Sequence, residues 1–126
     1  MKLKLGQLVN AEPALKKINN AHGLTAVRAY VIAKNIKKIT PDLEIYEYTR
    51  KKLLEEKADK DEEGKAIIEG DNYKLSSNAM REALDEISQL QQNEVDLDLT
   101  QIELEDINSA GLTPQELLSI EFMIKE

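Results

Sequence analysis

Residues 26–56 read AVRAYVIAKNIKKITPDLEIYEYTRKKLLEE, and their apolar side chains recur in steps that alternate between three and four. Because 3.6 residues complete a helical turn, this spacing places the apolar residues on one face of an α-helix. The stripe consists of Ala29, Ile32, Ile36, Ile39, Leu43, Tyr46 and Leu53, and Arg50 is its single break. We predict one long helix over 26–56, which begins after the N-cap residue Thr25.

Pro41 lies inside this predicted helix. Proline lacks the N–H that a helix interior needs, so it bends or ends a helix, and Thr40-Pro41 is also typical of a new helix start. The apolar stripe keeps its phase across Pro41, so we predict a continuous helix with a kink near 38–41. Two alternatives stay open for the stripe: packing on the chain's own shorter helices, or a coiled-coil seam in a homodimer.

Start and stop signals predict three shorter helices, over about 10–22, 78–92 and 114–124. The last of them begins with Thr113-Pro114-Gln115-Glu116, which is a capping box with proline at the first helical position. Apolar side chains nearly encircle this last helix, and we therefore expect it to be well buried.

The sequence contains fewer patterns typical of strands than of helices. Gly70-Asp71-Asn72 joins the short apolar runs 66–69 and 73–75, a pattern that predicts a β-hairpin. Residues 94–99 alternate strictly between acidic and apolar side chains, so the apolar set, Val95, Leu97 and Leu99, should face the core. The alternation then shifts by one residue, which predicts a bulge or bend near Thr100. These elements indicate an α+β fold: mainly helical, with one long kinked helix, three shorter helices and one small antiparallel sheet.

Length and composition limit the class of protein. The 126 residues fit a single domain over 1–126, and 41% of them are hydrophobic, enough for a small aliphatic core. The absence of cysteine excludes disulfides, thiolate metal sites and a cysteine nucleophile. No signal peptide or membrane-spanning run is recognisable. We expect a soluble, intracellular, acidic domain.

Charge is divided unevenly along the chain. Residues 1–57 hold 12 Lys and Arg against 6 Asp and Glu, whereas residues 58–126 hold 5 against 18. If the halves do not interleave in space, the molecule has two electrostatically different faces. In that case the acidic face binds a basic partner, or two copies of the chain pair head to tail. If the halves do interleave, their charges neutralise each other within the fold.

The densest acidic segment, 94–106, carries six carboxylates and no Lys or Arg. We predict that it is a docking surface for a basic protein partner, formed by Glu94, Asp96, Asp98, Glu103, Glu105 and Asp106. Reversal of Asp96 and Asp98 to lysine should then slow association about tenfold or more. The plainer alternative is a charged sheet face that keeps the sheet soluble. The competing docking surface is the basic outer face of the long helix, including Lys37 and Lys38.

We find no pattern typical of an active site. The run 59–64 resembles the first half of a calcium loop, but Ala66 and Gly70 stand where later ligands are needed. His22 is the only histidine, and no nucleophile elbow or phosphate loop accompanies it. We therefore predict no enzyme, no cofactor and no metal. We expect no membrane partner and no direct nucleic-acid binding, because the protein is anionic and aromatic residues are few.

Four parts of the chain carry a resemblance to known proteins: Met1–Lys4 with Gly6–Ala11 and Ala14-Leu15, Tyr30–Ile39, Glu94–Leu97, and Leu112–Leu117 with Phe122-Met123-Ile124. These segments resemble a family of small bacteriophage and prophage proteins, from tailed phages of Gram-positive bacteria, that have no assigned function. The resemblance covers nearly the whole chain and implies a phage protein made in the cytoplasm of an infected cell. It carries over no catalytic or binding residue. Two classes of function follow: an inhibitor or adaptor that binds a host or defence protein, and a component of virion, head or tail assembly.

Overall fold

The computed structural model describes residues 1–125. In chain order the elements are β1 (Lys2–Lys4), α1 (Leu5–Asn19), α2 (Ala26–Lys57), β2 (Ile68–Glu69), β3 (Asn72–Tyr73), α3 (Ser77–Gln91), β4 (Glu94–Asp96), a 3₁₀ helix (Leu104–Ala110), α4 (Pro114–Ser119) and a second 3₁₀ helix (Glu121–Met123). The predicted mainly helical α+β class is confirmed. The sheet differs from the prediction, because the strands form two separate antiparallel pairs, β1 with β4 and β2 with β3.

Helix α2 confirms the long predicted helix and runs unbroken through Pro41. The Thr25 side chain accepts a hydrogen bond from the Arg28 N–H at 3.4 Å, as an N-cap does. Ile32, Ile39 and Tyr46 are buried, so the predicted stripe faces the core. At about 1.5 Å per residue, α2 is about 48 Å long. The kink near 38–41 stays a prediction.

Helix α1 begins five residues before the predicted start and ends before His22. Asn10, which could cap a helix that begins there, is therefore an interior residue, and the N–H of Lys4 donates to Gln7 Oε1 at 2.8 Å. The helix starts early because Leu5 and Leu8 are buried in the core, and this burial outweighs the start signal of Asn10.

The strand predicted over 94–99 is shorter in the structure, where β4 ends at Asp96. Its partner strand, β1, is not among the predicted strands. Strand β4 pairs with β1, with Leu3 opposite Val95. Regular pairing stops at Asp96, and the Leu97 N–H donates to the Met1 carbonyl at 2.9 Å. Of the bulge or bend predicted near Thr100, the bulge is wrong, because strand pairing ends at Asp96; Ile102 forms a single bridge with Ile124, and a 3₁₀ helix begins at Leu104.

The hairpin is confirmed, with a two-residue loop in which Gly70 has a φ of 62°. Helix α3 is confirmed within one residue at each end. Helix α4 has the predicted Thr113 capping box, but it ends at Ser119. The expectation that this helix is well buried is wrong for α4, in which no residue is fully buried and Leu118 is 66% exposed, whereas Ile120 and Met123 just after it are fully buried.

One core joins these elements, and its largest members are Leu8, Ile18, Ile39, Ile102, Ile120 and Met123. Helix α1 lies at its centre and contacts α2, α3 and α4. Gly6 marks the closest approach of α1 to α3, since a Cβ there would lie 3.1 Å from the Gln91 Cβ. Within residues 1–125, no helix is long and apolar enough to cross a membrane. This packing leaves the opposite face of α2 uncovered.

Candidate functional site

The acidic row at β4 has the predicted orientation. Glu94, Asp96 and Asp98 are exposed, and the apolar residues between them are half-buried against the core. The alternation read from the sequence therefore corresponds to one solvent-facing and one core-facing side.

The row is not an isolated patch of negative charge. In the β1–β4 pair, Lys2 stands opposite Asp96 and Lys4 stands opposite Glu94. The N-terminal ammonium group lies 3.1 Å from Asp96 Oδ1. Opposite charges across an antiparallel pair stabilise the sheet, so these carboxylates have a role within the fold.

The other three predicted residues lie on or beside the first 3₁₀ helix. Asp106 Oδ2 lies 3.4 Å from Arg28 Nε and also accepts the Glu103 N–H at 3.2 Å. Glu103 lies 3.6 Å from Lys125 Nζ. Glu105 is exposed, and within residues 1–125 it has no cationic partner within 4.0 Å. Asp106 thus acts as a link to α2, and Glu105 is the most available of the three.

Ion pairs also connect the basic and acidic halves of the chain. Lys17 Nζ lies 2.8 Å from Glu116 Oε1. Lys57 Nζ lies 3.3 Å from Glu82 Oε2 and 3.4 Å from Glu86 Oε2. The Glu82 and Glu86 carboxylates raise the pKa of Lys57 above its ordinary value. These pairs show that the two halves interleave in the fold, and they neutralise part of the charge of each half.

The exposed side of α2 is the most unusual surface of the structure. We define the α2 outer face as Val27, Tyr30, Lys34, Lys37, Lys38, Pro41, Ile45, Tyr48 and Lys52, all of which are exposed. Val27 is 71% exposed, and Tyr30, Ile45 and Tyr48 are between 64% and 67% exposed. Single exposed apolar residues are ordinary in proteins. Here they align along one helix face, and nothing within residues 1–125 covers them.

The α2 outer face contains two similar units. Val27, Tyr30 and Lys34 form the first, and each has a counterpart 18 residues later in the second, Ile45, Tyr48 and Lys52. Lys34 Nζ lies 5.5 Å from the centre of the Tyr30 ring, and Lys52 Nζ lies 6.0 Å from that of Tyr48. Because 18 residues make five helical turns, the two units point the same way and lie about 27 Å apart.

The cations of this face are largely unpaired. Among the described residues, Lys34, Lys37 and Lys52 have no carboxylate within 4.0 Å, which distinguishes them from the paired Lys17 and Lys57. Lys38 donates to the Asp98 carbonyl oxygen at 2.6 Å. Glu44 is the only exposed acidic residue between Val27 and Lys52. The face is therefore basic on a protein whose net charge is -7.

A groove with a largely apolar floor lies between α1 and α2. Leu15, Ile36, Ile39 and Leu43 line it, together with polar side chains at its edge, and none of its lining residues is a histidine or serine. His22 is exposed in the loop after α1. Across residues 1–125, no three His, Asp or Glu side chains lie close enough together to hold a metal ion.

The lysines of the α2 outer face mark it in the sequence as the competing docking surface, and its apolar side chains give a second signal. Val27, Tyr30, Lys34, Lys38, Pro41, Ile45, Tyr48 and Lys52 follow one another in steps of three and four, as the inner stripe does. A second stripe opposite the first implies a second contact surface. The inner stripe is the clearer signal of the two, because its residues are more consistently aliphatic.

No protein-family model matches the chain, and comparison with characterised proteins and with solved structures returned no similar protein.

Proposed function

We propose that the chain is a non-enzymatic phage accessory protein that acts by binding another protein, as an inhibitor or adaptor on a host or defence-system protein. The observation that carries this proposal is the α2 outer face, an aligned set of exposed tyrosine, aliphatic and lysine side chains. Tyrosine is enriched in protein interfaces, and it supplies much of their binding energy. Exposed apolar surface rimmed by polar groups marks interaction sites.

The resemblance to phage proteins supplies the setting of the proposal, the cytoplasm of an infected host cell. A small protein with an uncovered helix face suits an inhibitor that occupies a surface of its target. The acidic row remains a competing docking surface. The α2 outer face is the stronger candidate because it combines unpaired cations with aligned exposed apolar side chains, whereas Asp96 in the acidic row is paired with the N-terminal ammonium group.

Affinity capture from infected cells tests this function. The tagged protein should retain a specific protein in stoichiometric amount, and Tyr30→Ala with Tyr48→Ala should release it. The control is Leu84→Ala with Leu118→Ala, which removes equally exposed apolar side chains elsewhere. The proposal fails if no protein is retained, or if the purified chain forms rings or filaments in light scattering. Rings or filaments would indicate an assembly component instead.

A further inference from the structure

We infer that the α2 outer face binds an acidic, elongated protein surface, a helix with apolar anchors about 27 Å apart flanked by carboxylates. This inference rests on the proposed function and adds the chemistry and geometry of the partner. Three properties of the face carry it: the repeated units, the unpaired cations and the exposure of the apolar side chains.

The repeat sets the geometry of the partner. Each unit presents one aliphatic side chain and one tyrosine, three residues apart, with a lysine over the tyrosine ring. Five helical turns separate the units, so both are accessible to one straight partner segment of about 27 Å. Two anchors at a fixed separation select partners by length as well as by composition.

The charge of the face sets the composition of the partner. Lys34 belongs to the first unit and Lys52 to the second, and Lys37 lies between the two units. Because these ammonium groups lack carboxylate neighbours within residues 1–125, an acidic partner gains their attraction without displacing an existing pair. The lysines would meet the rim of the contact, where charge accelerates association more than it raises affinity.

The same features disfavour two other occupants. A second copy of this chain, in either orientation along α2, would bring lysines of both copies together in the seam, and like charges repel. Nucleic acid would use the lysines and stack on the tyrosines. It would leave Val27, Pro41 and Ile45 without apolar contacts, and the rest of this anionic protein would repel it.

The size of the face predicts a contact of modest strength. The stretch from Val27 to Lys52 is about 38 Å long on a helix about 10 Å wide. This strip is smaller than the roughly 800 Å² per partner of a standard interface. We therefore expect a reversible complex in which the two tyrosines and the lysines each make a measurable difference.

A designed peptide tests the inference directly. The probe is an alanine- and glutamate-rich helical peptide with two leucine pairs 18 residues apart, titrated into the full chain and followed by fluorescence anisotropy. One control peptide has lysine at every glutamate. A second has the leucine pairs eleven residues apart, which keeps them on one face but separates them by only about 16 Å. We expect the probe to bind about tenfold more tightly than either control.

Matched variants of the protein complete the test. Tyr30→Ala with Tyr48→Ala, and separately Lys34→Glu with Lys37→Glu, should each weaken binding about tenfold. Leu84→Ala with Leu118→Ala, and Lys65→Glu with Lys125→Glu, should leave it unchanged. Circular dichroism should show the same helical content in every variant, because all these side chains are exposed.

Three results would overturn the inference. They are equal binding of the three peptides, binding that the α2 variants leave unchanged, and tighter binding of a single-stranded oligonucleotide that the Tyr30 and Tyr48 variants abolish. None of these depends on capture from infected cells, so the inference can fail while the proposed protein-binding function stands.

Discussion

Asn35 is the residue that decides how the segment after β4 crosses α2. It is the one buried polar residue of the described chain, with 1% of its surface exposed. Its side-chain amide donates to the Thr100 carbonyl at 2.7 Å and accepts the Thr100 N–H at 2.9 Å. The amide thus satisfies the backbone N–H and carbonyl of Thr100, as a neighbouring strand would. This arrangement fixes the segment after β4 against α2 at a residue that has no strand partner.

Replacement of Asn35 by alanine should reduce stability by about 2 kcal/mol, because it leaves a backbone donor and acceptor without their partners and opens a small void. The measurement is urea denaturation followed by circular dichroism. Asn108→Ala, at an exposed position, is the control and should change stability by less than about 0.5 kcal/mol. Equal stability of the two variants would contradict this role for Asn35.

Glu116 makes the stability of the fold depend on pH in the acidic range. Its carboxylate accepts hydrogen bonds from Lys17 Nζ and from the Thr113 N–H, and these hold its pKa below the ordinary value of 4.5. A carboxyl group whose pKa is lowered in the folded state adds stability above its unfolded pKa. That stability is lost as the pH falls through the lower folded value.

Urea denaturation at pH 7 and at pH 3 should therefore show a larger loss of stability in the natural chain than in Glu116→Gln. The comparison variant is Glu121→Gln, which alters an exposed carboxylate outside the α4 capping box. Glu121→Gln should leave the pH dependence of the stability unchanged. If Glu116→Gln retained the full acid sensitivity, the ion pair with Lys17 would have no part in it.

At the scale of elements, α2 shows what sequence periodicity can and cannot predict. Its length and its buried stripe followed from the spacing of Ile32, Ile39 and their neighbours, and its N-cap followed from Thr25. Hairpin β2–β3 and the start of α4 followed from turn and cap residues, since those signals are local. Strand β1 and the early start of α1 did not, because they depend on pairing with β4 and burial in the core, both formed by distant residues.

The candidate site was only half predictable for a similar reason. The solvent-facing side of β4 followed from alternation, yet the lysines opposite its carboxylates belong to the unpredicted strand β1. Charge counted along the sequence therefore overstated the free negative charge of 94–106. The α2 outer face was visible in the sequence as a second stripe, but only the packing showed that no other element covers it.

Pro41 supplies the prediction that belongs to α2 as an element. The helix is continuous around it although proline cannot donate the interior hydrogen bond. Pro41→Ala should therefore stabilise the protein, by about 1 kcal/mol or more, since alanine restores the donor and favours helix. Thermal denaturation measures this, with the exposed Thr49→Ala as a comparison. A lower melting temperature for Pro41→Ala would mean that the proline is needed for the geometry of α2.

The whole molecule combines an acidic surface with one basic helix face. Ion pairs between the two halves, such as Arg28 with Asp106, use cations of the first half to bind carboxylates of the second. The lysines of the α2 outer face are left over from this pairing. Such a distribution disfavours a symmetric contact in which the α2 outer faces of two copies meet, because that contact would bring those lysines together.

We accordingly expect a monomer of 14.3 kDa in size-exclusion chromatography with light scattering. Raising the salt concentration from about 50 mM to about 500 mM should leave that mass unchanged, while it slows association with an acidic partner. A stable dimer that Tyr30→Ala with Tyr48→Ala dissociates would contradict the assignment of this face to a different protein.

Photo-crosslinking from defined positions tests the central claim most directly. A photoreactive phenylalanine analogue replaces Tyr30, Tyr48, Asp96 or Asp98 in the full chain, and each variant is irradiated in infected cells. We predict that positions 30 and 48 crosslink to the same acidic protein, while positions 96 and 98 give no specific product. A product from positions 96 and 98 with none from 30 and 48 would contradict the claim and assign the interface to the acidic row.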